Sequence, residues 1–162
     1  MFDEYSNIIE DILDNKEFNK LKAEKHHGTN RLIHSKRVSY YAYKTCKLLR
    51  LDYKAAARAG LLHDFFIYEK DITRLDKFKL IFTHPKHAFK NSKKHFDINE
   101  KEQDIILSHM FPININLPKF IESWIVSTID KIVATYEFGE SFYLKNMYVP
   151  NLYLLLIIKI FN

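Results

Sequence analysis

The chain has 162 residues, 47% of them hydrophobic, with only three glycines, Gly28, Gly60 and Gly139. That suits one core, since domains run to about 100–150 residues, and it is too little glycine for a phosphate-cradling loop, a dinucleotide fingerprint or a hairpin-rich β fold. A net charge of +5 favours an anionic partner, and the single cysteine, Cys46, cannot form an internal disulfide, which points to a reducing, cytoplasmic compartment. The expected class is all-α.

Residues 3–22 carry Ile8, Ile9, Ile12, Leu13 and Phe18 at helical spacing and read as one amphipathic helix. Their acidic start differs from a secretion signal, which opens basic and then turns apolar. HHGTN at 26–30 interrupts the pattern with a polar turn. A second helix places His34, Val38, Ala42, Cys46 and Leu49 on one face, and an alanine-rich third spans 53–64 and ends in His63-Asp64. Thr83 reads as an N-cap, with Pro85 in the first turn of a helix reaching about Lys94. Asn99 and Glu102 form a capping box for the next helix, which leads to Ile105, Ile106 and His109. Pro112 and Pro118 bracket a loop. A long helix over about 119–137 then puts Val126, Asp130, Val133 and Ala134 on one stripe. The apolar run from Leu152 to Ile158 is far shorter than the ~20 residues of a membrane span. Residues 150–162 are expected to dock on the core or on the second subunit of a homodimer. No repeat or linker divides the chain, so 1–162 reads as a single domain.

Four histidines, His34, His63, His84 and His109, fall at helix ends or on inward stripes, and Asp64 and Asp130 lie within the apolar stretches LLHDFF and WIVSTIDKIVAT. A carboxylate in such a stripe is costly unless it is paired or bound to a metal. Imidazoles and carboxylates converging from several helices suit iron, manganese, cobalt, nickel or zinc. A lone inward histidine is more often an ordinary core residue. The adjacent His63-Asp64 pair shifts that balance. Successive helical residues point about 100° apart, so both reach one ion only where the helix ends or bends.

The segments RLIHSKRVSYYAYK, AARAGLLHD and STIDKIVA, in that order, resemble the ligand helices of the HD-domain superfamily of metal-dependent phosphohydrolases. The resemblance covers roughly residues 25–137 and implies a compact helical bundle with the metal site between helices. It implies that His34, His63, Asp64 and Asp130 hold a first divalent ion. THPKHA and ILSHMFP match the segments that supply extra histidines in dinuclear members, which implies His84 and His109 on a second ion and Asp64 bridging both. The implied reaction is hydrolysis of a phosphomonoester or phosphoanhydride, with a nucleotide as the expected substrate, by a metal-activated water; Asp64, His84 and His109 are the implied catalytic residues. Ile67 stands where the cyclic-di-GMP branch has a lysine, and SHMFPI where its Gly-Tyr-Pro signature begins, so that branch is disfavoured. His27 is a candidate for the pocket rim, and Arg37 and Lys131 are candidates for a substrate phosphate. Lys86, Lys90, Lys93 and Lys94 form a basic stripe able to steer polyanions. The alternatives are a mononuclear enzyme, a non-catalytic metal- or nucleotide-binding sensor, and a nucleic-acid binder for which no motif is present.

Overall fold

The computed structural model describes residues 2–26, 29–67 and 74–161, with side chains described for 4–24, 29–67 and 79–143. The order is α1 (Phe2–Leu13), α2 (Lys16–Asn19), a 3-10 turn (Lys20–Ala23), strands β1 (Lys25–His26) and β2 (Thr29–Asn30), then α3 (Arg31–Leu48), α4 (Tyr53–Leu62), α5 (Arg74–His95), α6 (Glu100–Ser108) and α7 (Ile121–Phe161). The two short strands pair antiparallel. The chain is otherwise all-α.

Side-chain caps set where the site-bearing helices start. The Asn30 side chain accepts from the Ile33 N–H at 2.9 Å, which puts His34 in the first turns of α3. Asp52 accepts from Ala55 N–H at 3.0 Å at the head of α4. The Asn99–Glu102 capping box is complete at α6, and such caps contribute about 1 kcal/mol each.

The α3–α4 crossing is the tightest feature of the bundle. A Cβ added at Gly60 would meet the Ser39 backbone Cα at 3.1 Å. Ser39 Oγ donates to the Ala57 carbonyl at 2.7 Å and accepts from Tyr5 OH at 2.9 Å, which ties α1 to the same crossing. Ala55, Ala56, Ala57 and Ala59 are all buried, so small side chains let α4 lie close to its neighbours. Helix α7 packs on α3, α4 and α6, and α5 packs on α6 and α4. The end of α4 therefore lies among the other helices, and that is where His63 and Asp64 sit.

Several local expectations are corrected. The expected helix over 3–22 breaks in two, because Asn15 Oδ1 accepts from Glu17 N–H at 2.9 Å and Phe18 N–H at 3.1 Å and so starts a new helix. Thr83 is not a cap: it lies inside α5, where its hydroxyl donates to the Lys79 carbonyl at 3.2 Å. That helix passes through Pro85, which forfeits one backbone hydrogen bond. Leu49 caps the end of α3 and is exposed, while Val38, Ala42 and Cys46 are buried. The last helix runs past 137 to Phe161. The docking expected of 150–162 concerns side chains outside the described residues. Among the described residues no helix is long and apolar enough to cross a membrane.

Gly60→Ala tests the crossing. Alanine gains about 1 kcal/mol of helix propensity, but its methyl meets backbone that can yield only by moving α3, at a cost of roughly 1–3 kcal/mol. The expected outcome is a lower denaturant midpoint than the native chain, not the higher one that propensity alone predicts.

Candidate metal centre

Five helices deliver six side chains to one buried place. His34 projects from the second turn of α3, and His63 and Asp64 follow the last residue of α4. His84 comes from the middle of α5, His109 caps the end of α6, and Asp130 lies on α7. The helix does end at the His-Asp pair, so both side chains can face one point. His34, His63, Asp64 and His109 are 0–3% exposed, whereas His84 and Asp130 are each 8% exposed and mark the side open to solvent.

The ligand-type atoms of His34, His63 and Asp64 lie within 4.8 Å of one another, as do those of His63, His109 and Asp130 and those of Asp64, His84 and His109. Asp64 straddles the cluster. Its Oδ1 is 3.4 Å from His84 Nε2 and 3.8 Å from His109 Nε2, and its Oδ2 is 3.9 Å from His63 Nε2. Asp130 Oδ1 is 2.9 Å from His34 Nε2 and 3.5 Å from His63 Nε2. The structure does not separate the six into two closed sets, because His109 groups with His63 and Asp130 as well as with Asp64 and His84.

The tautomers follow from the outer hydrogen bonds. His63 Nδ1–H donates to the Gly60 carbonyl at 2.8 Å, His84 Nδ1–H to Leu80 at 2.9 Å, and His109 Nδ1–H to Ile106 at 2.8 Å. His34 Nδ1–H donates to Glu137 Oε2 at 2.8 Å. Every Nδ1 is occupied, so every Nε2 is left to face inward. His84 Nε2 and His109 Nε2 stand 2.9 Å apart. Burial pushes both of these imidazoles down, His109 to about 3 with further help from His63 and His84. Two neutral imidazoles holding Nδ1–H oppose lone pairs at that distance, and a cation that both would ligate relieves the conflict. Among the described residues, His63 Nε2 is buried with no hydrogen-bond partner.

The anionic half behaves differently. Burial opposes charge on His34, but its hydrogen bonds to Asp130 and Glu137 outweigh it and push the imidazole up to about 10. Burial also works against the Asp130 charge, yet His34 and His63 hold its carboxyl well below the usual range. Four imidazoles and two carboxylates with no thiolate form a donor set for a borderline divalent ion, and the geometry fits one.

Two participants were not singled out in the sequence. Glu137 is 2% exposed and extends the Val126–Asp130–Val133 stripe by one more turn, so a second acid on an apolar stripe was its available signal. Arg31 is fully buried, one turn before His34 on the same face. Its Nη1 donates to the Phe66 carbonyl at 2.5 Å, its Nε lies 3.7 Å from Asp64 Oδ2, and its guanidinium stacks 3.8 Å over the Phe66 ring. With Asn91, which donates to the Phe65 carbonyl at 2.9 Å, it pins the segment after His63-Asp64.

Two of the three substrate candidates have partners of their own. Arg37 lies on the Nδ1 side of His34, paired with Glu137 Oε1 at 2.9 Å and Glu140 Oε2 at 3.9 Å. Lys131 donates to the His109 carbonyl at 2.9 Å and to Ser127 Oγ at 2.8 Å, and so secures the turn that carries His109. His27 is outside the described residues.

Fold and site together define a class: a helical bundle built around a buried imidazole–carboxylate centre able to hold metal. The family comparison finds the HD domain over residues 31–135. The chain belongs to the HD-domain family, whose superfamily comprises metal-dependent phosphohydrolases. Searches of curated proteins and of solved structures give no match.

Arg31→Met removes the cation from beside a buried carboxylate. Breaking a buried pair costs about 3 kcal/mol or more, so urea denaturation should show a loss of that order. Arg31→Lys is expected to recover little, because an ammonium cannot reproduce the planar stack on Phe66 while reaching both Asp64 and the Phe66 carbonyl.

Proposed function

We propose that this chain is a metal-dependent phosphohydrolase in which His34, His63, Asp64, His84, His109 and Asp130 hold two divalent transition ions. The proposed substrate is a phosphomonoester or phosphoanhydride, with a nucleotide favoured. The observation that carries this reading is the convergence of four Nε2 atoms on two carboxylates, with each opposite ring nitrogen already engaged. When bound, a pair of such ions neutralises phosphate oxygens and lowers the pKa of water from 15.7 toward about 7.

The chain's own residues support this role. Asp64 presents one oxygen to His84 and His109 and the other to His63, the disposition a bridging carboxylate requires. The Phe66 ring lies 5.1 Å from the His84 ring and packs beside it. Cys46 offers no rival nucleophile: it is buried in the core, and burial pushes its thiol up to about 12. Lys86, Lys90, Lys93 and Lys94 are exposed on α5, the helix that carries His84, and favour an anionic substrate. A buried free thiol is compatible with a reducing, cytoplasmic location. The whole chain is proposed to act as one domain, and as a homodimer through its apolar C-terminal segment, residues 150–162.

Elemental analysis of tag-free protein purified without oxygen tests the two-ion reading. About two ions per chain are expected, falling to one or fewer in the His84→Ala/His109→Ala double variant, with phosphate release from nucleotides lost in parallel. One ion in both proteins would point to a mononuclear phosphatase. Metal without turnover across a broad nucleotide panel would make the chain a sensor. Light scattering should return a dimer mass, and a monomer at all concentrations would remove the homodimer.

A further inference from the structure

We propose that Glu137 is a positioning residue of the metal centre, holding the His34 ring from behind so that its Nε2 faces the ions. The inference rests on the reading of the cluster as a metal site. Glu137 lies on α7 two turns beyond Asp130 and is 2% exposed. Its Oε2 accepts from His34 Nδ1 at 2.8 Å and its Oε1 accepts from Arg37 at 2.9 Å. Both oxygens are thus committed to α3, to residues one turn apart, and the carboxylate can neither rotate nor withdraw without breaking one of the two bonds.

His34 differs from the other three imidazoles in where its acceptor comes from. His63 and His109 sit at helix ends, where the carbonyls of Gly60 and Ile106 are open to a ring N–H. His84 takes the carbonyl of Leu80 one turn earlier. His34 stands in the opening turns of α3, and its acceptor comes from another helix. A carboxylate in that position fixes the tautomer and the ring plane, and it makes the opposite nitrogen a stronger ligand than a carbonyl partner would. Asp130 and Glu137 share one face of α7, so a single helix supplies a group to each edge of the same imidazole.

Cobalt(II) titration followed by the visible spectrum, with elemental analysis of the loaded protein, tests this on the full-length chain. Glu137→Gln keeps the volume and an acceptor oxygen but removes the charge. It is expected to weaken one of two ions by about 10–100-fold while the other binds as in the native protein. Glu137→Ala should weaken that ion further, and Glu140→Ala, which removes an exposed acid 3.9 Å from Arg37, should bind as native. Native affinity for both ions in Glu137→Gln overturns the assignment and leaves the two-ion reading standing. Equal loss of both ions, together with lost far-ultraviolet helicity, makes Glu137 a general structural residue and also overturns it. A native chain that takes up no cobalt overturns the metal reading and this inference with it.

Discussion

Two buried carboxylates, Asp64 and Asp130, are the constraint on which the structure turns. An isolated carboxylate in a protein interior is disfavoured by several kcal/mol, and each is surrounded by groups that offset this. Asp130 faces His34 and His63, while Asp64 faces Arg31 and the remaining imidazoles. The helices can approach closely enough to supply these partners because the α3–α4 crossing is lined by Gly60 and alanines. Packing and electrostatics are therefore one problem here: the small residues that let α4 press against α3 also set where its last turn delivers the His-Asp pair.

How much of this could be read in advance depended on whether a residue's role was local. The six donors stood out because each contradicts its surroundings, an acid in LLHDFF or an imidazole closing an apolar helix. Asn99 and Glu102 were readable because a capping box is complete within four residues. The helix start at Asn15 was missed and Thr83 was misread for a matching reason: the same residue types occur as caps and inside helices, and the choice depends on which backbone groups lie free nearby. Arg31 and Glu137 were invisible for the opposite reason. Arg31 looks like an ordinary basic residue in the first turn of a helix, and its burial makes sense only once the fold brings partners such as the Phe66 carbonyl and Asp64 to it. Glu137 lies on the correct stripe, but its partners His34 and Arg37 belong to a different helix and are joined to it only by the fold.

The outer hydrogen bonds show how a helical bundle can preset a ligand cluster without strands or long loops. His63 and His109 exploit the same property of a helix terminus, an unsatisfied carbonyl three residues back. Placing an imidazole there fills an orphaned acceptor and aims the other nitrogen away from the helix. The site thereby uses groups that every helix end must satisfy in some way, which is why two of its ligands sit at the caps of α4 and α6 and not within those helices.

The two ends of the cluster are electrostatically unequal. Around His34 the groups are anionic, with Asp130, Asp64 and Glu137 all close, and the imidazole itself is pushed up to about 10 by the two carboxylates it touches. Around His84 and His109 the nearest carboxylate among the described residues is Asp64, with Asp130 also within reach of His109, and burial pushes both rings down. Under the two-ion reading, an ion at the first end replaces a proton on His34 and is retained by several negative charges. An ion at the second end would meet rings whose burial already disfavours a proton. The two positions would therefore make different demands: the first offers more negative charge but holds a proton that must leave, and the second, beside His84, lies on the side where the site meets solvent.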